Sequence, residues 1–447
     1  MRKIYLFLLL VAVASVACNK DYTELEPQCE KSTQDTRIRT YDEAYETAEL
    51  AMAMIFDNDT RSSNGRKIMK DAGQCVTRPI TRGDNTTEEP IMYIFNNENN
   101  EGFTVIAADK TQSPFIAVVE QGNYTYGEST GVEPFDEYME SAVENLVVTS
   151  SIIPPTGPVL PTPREYNIFY DDLREKEPLL TTKWGQTGIY NDYCINEATG
   201  SEESAGCVMT AIAQIMAYHR FPSSITTTYP STVPYGGGQT INLNWDRILA
   251  HEQGHSNYAS CNAYHYQISA LFREIGHRAG CTYLDDANGD ADNGATINEA
   301  LTVLQTFGYL TAGIHNFSKN DIYNSLDDNR PVYMRGEDQD TEFGHAWVVD
   351  GYYDYKYGVE TYTYGGVNLI PPSPNPQVPA GYVLTESTVV HTQMLHMNWG
   401  WAGVCNGWFN LGEYDTSNGV DYDNNTNYAN GDYGYDVKII LDITPNE

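Results

Sequence analysis

Basic side chains are scarce in this 447-residue chain: 26 Lys and Arg stand against 61 Asp and Glu, a formal net charge of −35. A surface of that sign repels a phosphate backbone instead of neutralising it, which excludes nucleic acid as a partner. Long hydrophobic runs are missing as well. The apolar stretch from Ile4 to Ala14 falls short of the roughly 20 residues a bilayer-spanning helix needs. No internal repeat is present, which excludes a solenoid array. What remains is a soluble, strongly acidic chain long enough for two or three domains, with 34 tyrosines and ample apolar content for real cores.

The N-terminus carries an address. Arg2 and Lys3 precede the short apolar run, and the small residues Ser15-Val16-Ala17 lead to Cys18. This order is that of a secretory signal. With a Cys directly after the small residues it resembles a bacterial lipoprotein signal, in which Cys18 becomes the lipidated N-terminus. The acidic segment that follows resembles the export tags of surface lipoproteins in Bacteroides-like bacteria. The expected location is therefore outside the cell, as an outer-membrane or cell-surface lipoprotein precursor. Membrane attachment would run only through a lipid anchor at Cys18, and a matured form could be released.

Thr40 and Glu43 form a capping box ahead of a helix through Ala44, Ala48, Ala51 and Ile55. Strand-like runs follow at Ile91 to Phe95, Phe103 to Ala108 and Phe115 to Val119, then a helix over Phe135 to Val148. Pro154, Pro155, Pro158, Pro161 and Pro163 break the pattern and mark an extended, protease-accessible linker. Beyond it, helices are expected over Ala205 to His219, Asn262 to Arg278 and Ile297 to Phe307. Strands are expected at Val332 to Arg335, Ala346 to Val349, Val383 to Thr385, Leu395 to Trp399, Trp408 to Leu411 and Val437 to Ile443. Helices followed by sheet define an α+β arrangement. The boundaries drawn are a signal peptide over 1–18, a small α+β unit over 19–150, a linker over 151–178 and a large domain over 179–447.

Gly206 and Cys207 head an apolar helix. A thiol there feels the positive end of the helix dipole and free backbone N–H groups, which favour the nucleophilic thiolate and can cradle an oxyanion. Taken alone, Cys207 reads more readily as a buried structural cysteine than as a nucleophile. A cysteine nucleophile also needs an imidazole, a group to orient it and an oxyanion donor. Among nine histidines, His345 follows Gly344 and opens a buried strand. His396 and Asn398 share one strand face by period two, and Gln186 offers a side-chain amide upstream.

Taken together, several segments resemble the streptopain family of papain-like cysteine peptidases. They are Leu179 to Gln186, Ala205 to His219, Asn244-Trp245-Asp246, Pro331-Val332-Tyr333, Gly344-His345-Ala346-Trp347-Val348-Val349-Asp350-Gly351 and His396 to Trp401 with Gly403 and Gly407, in order across the second half. The segment Gly102 to Asp109, behind an Ala-rich helix, resembles that family's pro-domain. The resemblance implies a papain-like peptidase with a helical half and an antiparallel-sheet half, preceded by a small α+β inhibitory pro-domain, and a secreted endopeptidase made as a zymogen. Cys207 would be the nucleophile and His345 the general acid/base. Gln186 and the Cys207 N–H would hold the oxyanion, and Asn398 would orient His345. Trp399 and Trp401 would shield that pair, with Gly344 and Gly206 beside it. The partners implied are protein or peptide substrates and the chain's own pro-domain.

No cofactor is needed for this chemistry. The loop Asp285 to Asp292 departs from the family pattern, and Asp286, Asn288 and Asp290 offer oxygens to Ca²⁺, although the loop lacks the glycine and distal Glu of an EF-hand. The stretch Tyr352 to Pro379 is an insertion without an assigned role. Two other readings compete. His251, Glu252 and His255 match the HExxH signature of zinc peptidases, with Glu274 as a possible third ligand, but Gly254 and the lack of amphipathic pattern argue against the helix this motif needs. A catalytically silent surface adhesin is the other, since folds can outlive their chemistry.

Overall fold

The computed structural model describes residues 37–56, 66–82, 84–110, 112–152, 164–169, 174–196, 198–250, 258–284, 293–337, 344–364, 382–411 and 437–446. Cys18, most of the Pro-rich linker, the His251 to His255 motif and the Asp286, Asn288 and Asp290 loop lie outside those residues.

The first helix among the described residues is α1 (Tyr41–Phe56). Its predicted capping box forms: Thr40 N–H donates to Glu43, and the Glu43 N–H donates to Thr40 Oγ1. Strands β1 (Gln74–Arg82), β2 (Asn85–Asn96), β3 (Phe103–Ala107) and β4 (Phe115–Val119) then make an antiparallel meander. Period two sorts β2 between two cores. Tyr93 and Phe95 pack toward α1, with Ala48, Ala51 and Met52. Met92 and Ile94 turn to the other face, where helix α2 (Glu133–Ile152) lays Phe135, Met139, Ala142 and Leu146.

The larger part of the chain follows. Strands β5 (Arg164–Phe169) and β6 (Arg174–Lys176) lead to helix α3 (Cys207–His219). The short strands β7 (Ser224–Thr226) and β8 (Thr240–Asn242) form a separate hairpin. Helices α4 (Trp245–Ala250), α5 (Tyr258–Arg278) and α6 (Ile297–Thr306) precede strands β9 (Tyr309–Leu310) and β10 (Gly313–Asn316) and helix α7 (Lys319–Asp327). Strands β11 (Val332–Glu337), β12 (Gly344–Tyr364), β13 (Tyr382–Asn398), β14 (Gly407–Asn410), β15 (Lys438–Leu441) and β16 (Thr444–Pro445) complete the chain. The stretch from Tyr352, expected as an insertion, continues β12 into a long ribbon with β13, and β5 and β6 pair along its outer edge.

Mixed helices and antiparallel sheet match the α+β expectation, with one addition. The two parts of the chain share a sheet, ordered β1-β2-β3-β4-β14-β13-β12-β11-β15-β10. The seam is an antiparallel pair in which Val119, Val118 and Ala117 of β4 face Gly407, Trp408 and Phe409 of β14. Helix α3 is apolar on all sides, as a central buried helix must be, and packs with α5 and α6 on one face of β11 and β12 through Tyr333, Ala346 and Val348. The opposite face presents Met334, Trp347 and Val349, in one core with α2 and α7. Among the described residues no helix is long and apolar enough to cross a membrane.

Candidate active site

Cys207 is the first residue of α3, half-buried and free. The turn that delivers it requires glycine. Gly206 has φ 93°, and a Cβ there would collide with the Asn293 carbonyl and with Met209. Burial pushes the Cys207 thiol pKa up, against the opposing pull of the Ala346 and Val208 amides and the Arg335 guanidinium. In this conformation the thiol is therefore held protonated, the unreactive form.

Gln186 sits beside that turn. Its backbone carbonyl accepts from Ala205 N–H at 2.8 Å, and its Oε1 accepts from Ser204 Oγ at 3.2 Å. Ser204 Oγ also faces the Gly206 N–H at 3.4 Å. With Oε1 held this way, Gln186 Nε2 is buried and has no hydrogen-bond partner among the described residues. A buried amide N–H left open costs about 1–3 kcal/mol, which suits a donor kept for a visiting oxyanion.

His345 lies second in β12, after Gly344, which pairs with Glu337 of β11. Strand alternation gives Ala346 and Val348 to the α3 face and Trp347 and Val349 to the α2 face. His345 falls with the latter. Its Nε2 approaches Glu133 Oε2 at 3.3 Å and Glu137 Oε1 at 3.9 Å, both from the first turns of α2, yet neither ring nitrogen makes a hydrogen bond among the described residues. It follows that His345 is bonded neither to Cys207 nor to Asn398. Burial lowers its pKa, with Glu133 opposing and Arg335 assisting. Glu133, Glu137 and His345 are also the group among the described residues whose ligand atoms lie close enough to share a metal ion.

Asn398 ends β13, buried, and faces α3. Its Nδ2 donates to Thr182 O at 2.7 Å, and its Oδ1 accepts from Gln214 Nε2 at 3.1 Å and from the Gly400 N–H at 3.3 Å. Gln214 in turn accepts from the Trp184 N–H. Gln214 is a polar residue within the largely apolar run of α3, and it is fully buried. Trp401 stands edge-on to His345, with ring centroids 6.1 Å apart. Trp399 does not approach that ring: it is buried between Trp347 and Phe409, with its Nε1 donating to Cys405 O.

The rival imidazole, His396, has other partners. Its Nδ1 lies 2.6 Å from Asp350 and its Nε2 3.3 Å from Glu120, the residue that follows β4. Burial alone would lower its pKa, but the two carboxylates raise it to about 10. Glu120, which burial would raise, is held down to about 2 by His396 and Lys183. His396 is thus a charged, paired, structural residue. Glu274, the possible third zinc ligand, is buried and bound to Thr228 and Arg278.

The Peptidase C10 family profile matches residues 184–409, and that of the Spi protease inhibitor matches residues 38–141. Among characterised proteins the chain is similar to streptopain of Streptococcus pyogenes, 25% identical over 358 residues that span 72% of this chain and 73% of that protein. It is also similar to the thiol protease/hemagglutinin PrtT of Porphyromonas gingivalis, 22% identical over 379 residues, 80% of this chain and 37% of that protein. Among solved structures, a prointerpain A fragment of Prevotella intermedia aligns over 82% of this chain and 98% of its own, at 19% identity and a TM-score of 0.46.

Proposed function

Because this chain belongs to the Peptidase C10 family, the streptopain family of cysteine peptidases, and carries a Spi-type inhibitor ahead of the peptidase, we propose a residue-level account of how it works and how it is held silent. The chain is a cysteine-type peptidase with its own inhibitory pro-domain. In our reading the inhibitor occupies 19–150, residues 151–178 contain the activating cut, and 179–447 form the enzyme. Cys207 is the nucleophile and His345 the general base. The observation that carries this assignment is the buried, open Gln186 Nε2, tied through Ser204 to the glycine turn that presents Cys207.

In the uncleaved chain His345 points to the α2 face and Cys207 lies on the other. A one-residue shift at the start of β12 would turn His345 to the α3 face, since side chains alternate along a strand. Departure of α2 with the inhibitor permits that shift. His345 then takes the Cys207 proton, and the thiolate adds to the scissile carbonyl carbon. The oxyanion accepts from Gln186 Nε2 and the Cys207 N–H. As the C–N bond breaks, the imidazolium gives its proton to the leaving amine. Water, deprotonated by His345, hydrolyses the thioester. Asn398, braced by Gln214, is placed to receive the imidazole once it turns, and Trp401 covers it; Trp399 serves through packing. The signal at Cys18 supports export as a surface lipoprotein, from which a cut in the linker would free the enzyme.

The test compares purified wild type with Cys207→Ala. Wild type under reducing conditions should shed the N-terminal segment up to the Pro-rich linker, and the variant should stay full length. Self-processing by the variant overturns the assignment. Loss of proteolysis to a chelator, with an alkylating agent harmless, would transfer the chemistry to His251, Glu252 and His255.

A further inference from the structure

We infer that Glu133, Glu137 and His345 form a binding site for a zinc-type divalent cation that exists only while the inhibitor is attached. Glu133 and Glu137 are one helical turn apart on α2, so their carboxylates leave the same face. His345 comes from the opposite side of the inhibitor–peptidase boundary. His345 is 9% exposed, its Nε2 stands 3.3 Å from Glu133 and 3.9 Å from Glu137, and neither ring nitrogen makes a hydrogen bond among the described residues. All three ligand atoms lie within 4.8 Å of one another. Ligands about 2.0–2.2 Å from a tetrahedral ion are about 3.4 Å apart, so the observed spacings close around such an ion with small side-chain movements.

The donor set selects the metal. One imidazole and two carboxylates suit zinc and its neighbours, whereas calcium and magnesium prefer all-oxygen shells. Glu133 is 63% exposed at its side chain, which leaves an open route from solvent and a free coordination position for water. The two carboxylates outnumber the Arg335 charge that also acts on His345, and the strongly acidic surface concentrates cations around the chain. An ion held there would fasten α2 to the enzyme and tie up Nε2. That it would thereby silence the peptidase rests on His345 being the general base; the binding itself does not.

Calorimetric titration of ZnCl₂ into the untagged, full-length Cys207→Ala chain tests the site without any turnover. One ion per chain is expected. The Glu133→Gln/Glu137→Gln variant should lose that titration while unfolding thermally like its parent in EDTA. A His251→Ala/His255→Ala variant should titrate as the parent does. No uptake by the parent, unchanged uptake by the double Gln variant, or loss confined to the His251/His255 variant overturns the inference. In the active chain, zinc should slow self-processing and EDTA should restore it. Binding without any effect on processing would leave the site standing and remove His345 from the general-base role.

Discussion

Glu120→Gln tests what fastens the inhibitor to the enzyme. Glu120 lies just beyond the β4 strand and reaches the buried His396 at 3.3 Å and Lys183 at 3.5 Å, both in the peptidase. Its carboxyl, ordinarily near 4.5, is held at about 2, which corresponds to about 3 kcal/mol favouring the docked state. His396 keeps Asp350 at 2.6 Å when Glu120 is neutralised, so the variant should fold. The open-to-docked ratio should rise by up to about two orders of magnitude, at about 1.4 kcal/mol per decade. The measurement is hydrogen exchange of the β4 and β14 amides in the Cys207→Ala background. The pH dependence has a fixed sign. The contribution of Glu120, whose pKa is depressed, is complete above about 4.5 and disappears as pH falls toward about 2. His396 keeps Asp350 whether or not the inhibitor is docked, so Asp350 lifts its pKa in both states, and its share of the seam disappears only as pH climbs through about 10. The seam should therefore be tight above about pH 4.5, loosen as pH falls toward about 2, and loosen again only as pH approaches about 10 in the parent, with a flatter alkaline limb in the variant. Equal exchange in both chains from pH 5 to 9 would refute the electrostatic latch.

Two further outcomes follow from the geometry. If Gln186 holds the oxyanion as proposed, Gln186→Ala should lower kcat on a peptide substrate by about 10²-fold or more with little change in KM, because such a donor acts on the transition state and not the ground state; steady-state rates of the processed enzyme check this, and a change confined to KM would contradict it. Gly407→Ala puts a Cβ against the Val118 carbonyl and 2.8 Å from Val119 Cα, at the closest approach of the inhibitor strand. It should speed self-processing of the active chain and lower the thermal midpoint of the Cys207→Ala chain, and unchanged values would show that the seam is looser than this geometry implies.

Much of this was readable because its causes are local. The Thr40/Glu43 box starts α1, the apolar run after Gly206 forms α3, and alternation within Ala346 to Val349 divides that strand between two cores. What the sequence concealed was non-local. Nothing in Phe115 to Val119 says that β4 pairs with β14 some 290 residues later, since one apolar strand looks much like another to a potential partner. The start of β2, Asn85 to Glu88, is polar and exposed, so it lacks the alternation that marks a strand. The ribbon beyond Tyr352 was missed although its Tyr and Thr content favours strands. The family resemblance assigns Asn398 to His345, but in the uncleaved chain that imidazole faces α2, and Glu133 and Glu137 carry no local pattern that would single them out.

The shared sheet couples the inhibitor to the catalytic residues along one physical route. β4 covers the edge of β14, β14 pairs with β13, which ends at Asn398, and β13 pairs with β12, which begins at His345. Phe135 and Tyr138 of α2 press on Phe409, and Phe409 presses on Trp399. When the inhibitor leaves, β14 loses its strand partner and Phe409 loses two aromatic neighbours. Uncovering such a side chain costs up to about 3 kcal/mol when exposure is complete, and a bare strand edge is prone to new pairing. The same face that holds His345 away from Cys207 is thus the one left unstable by activation. In the activation proposed above, repacking of β12 to β14 would relieve that exposure and would accompany the turn of His345 toward the thiol.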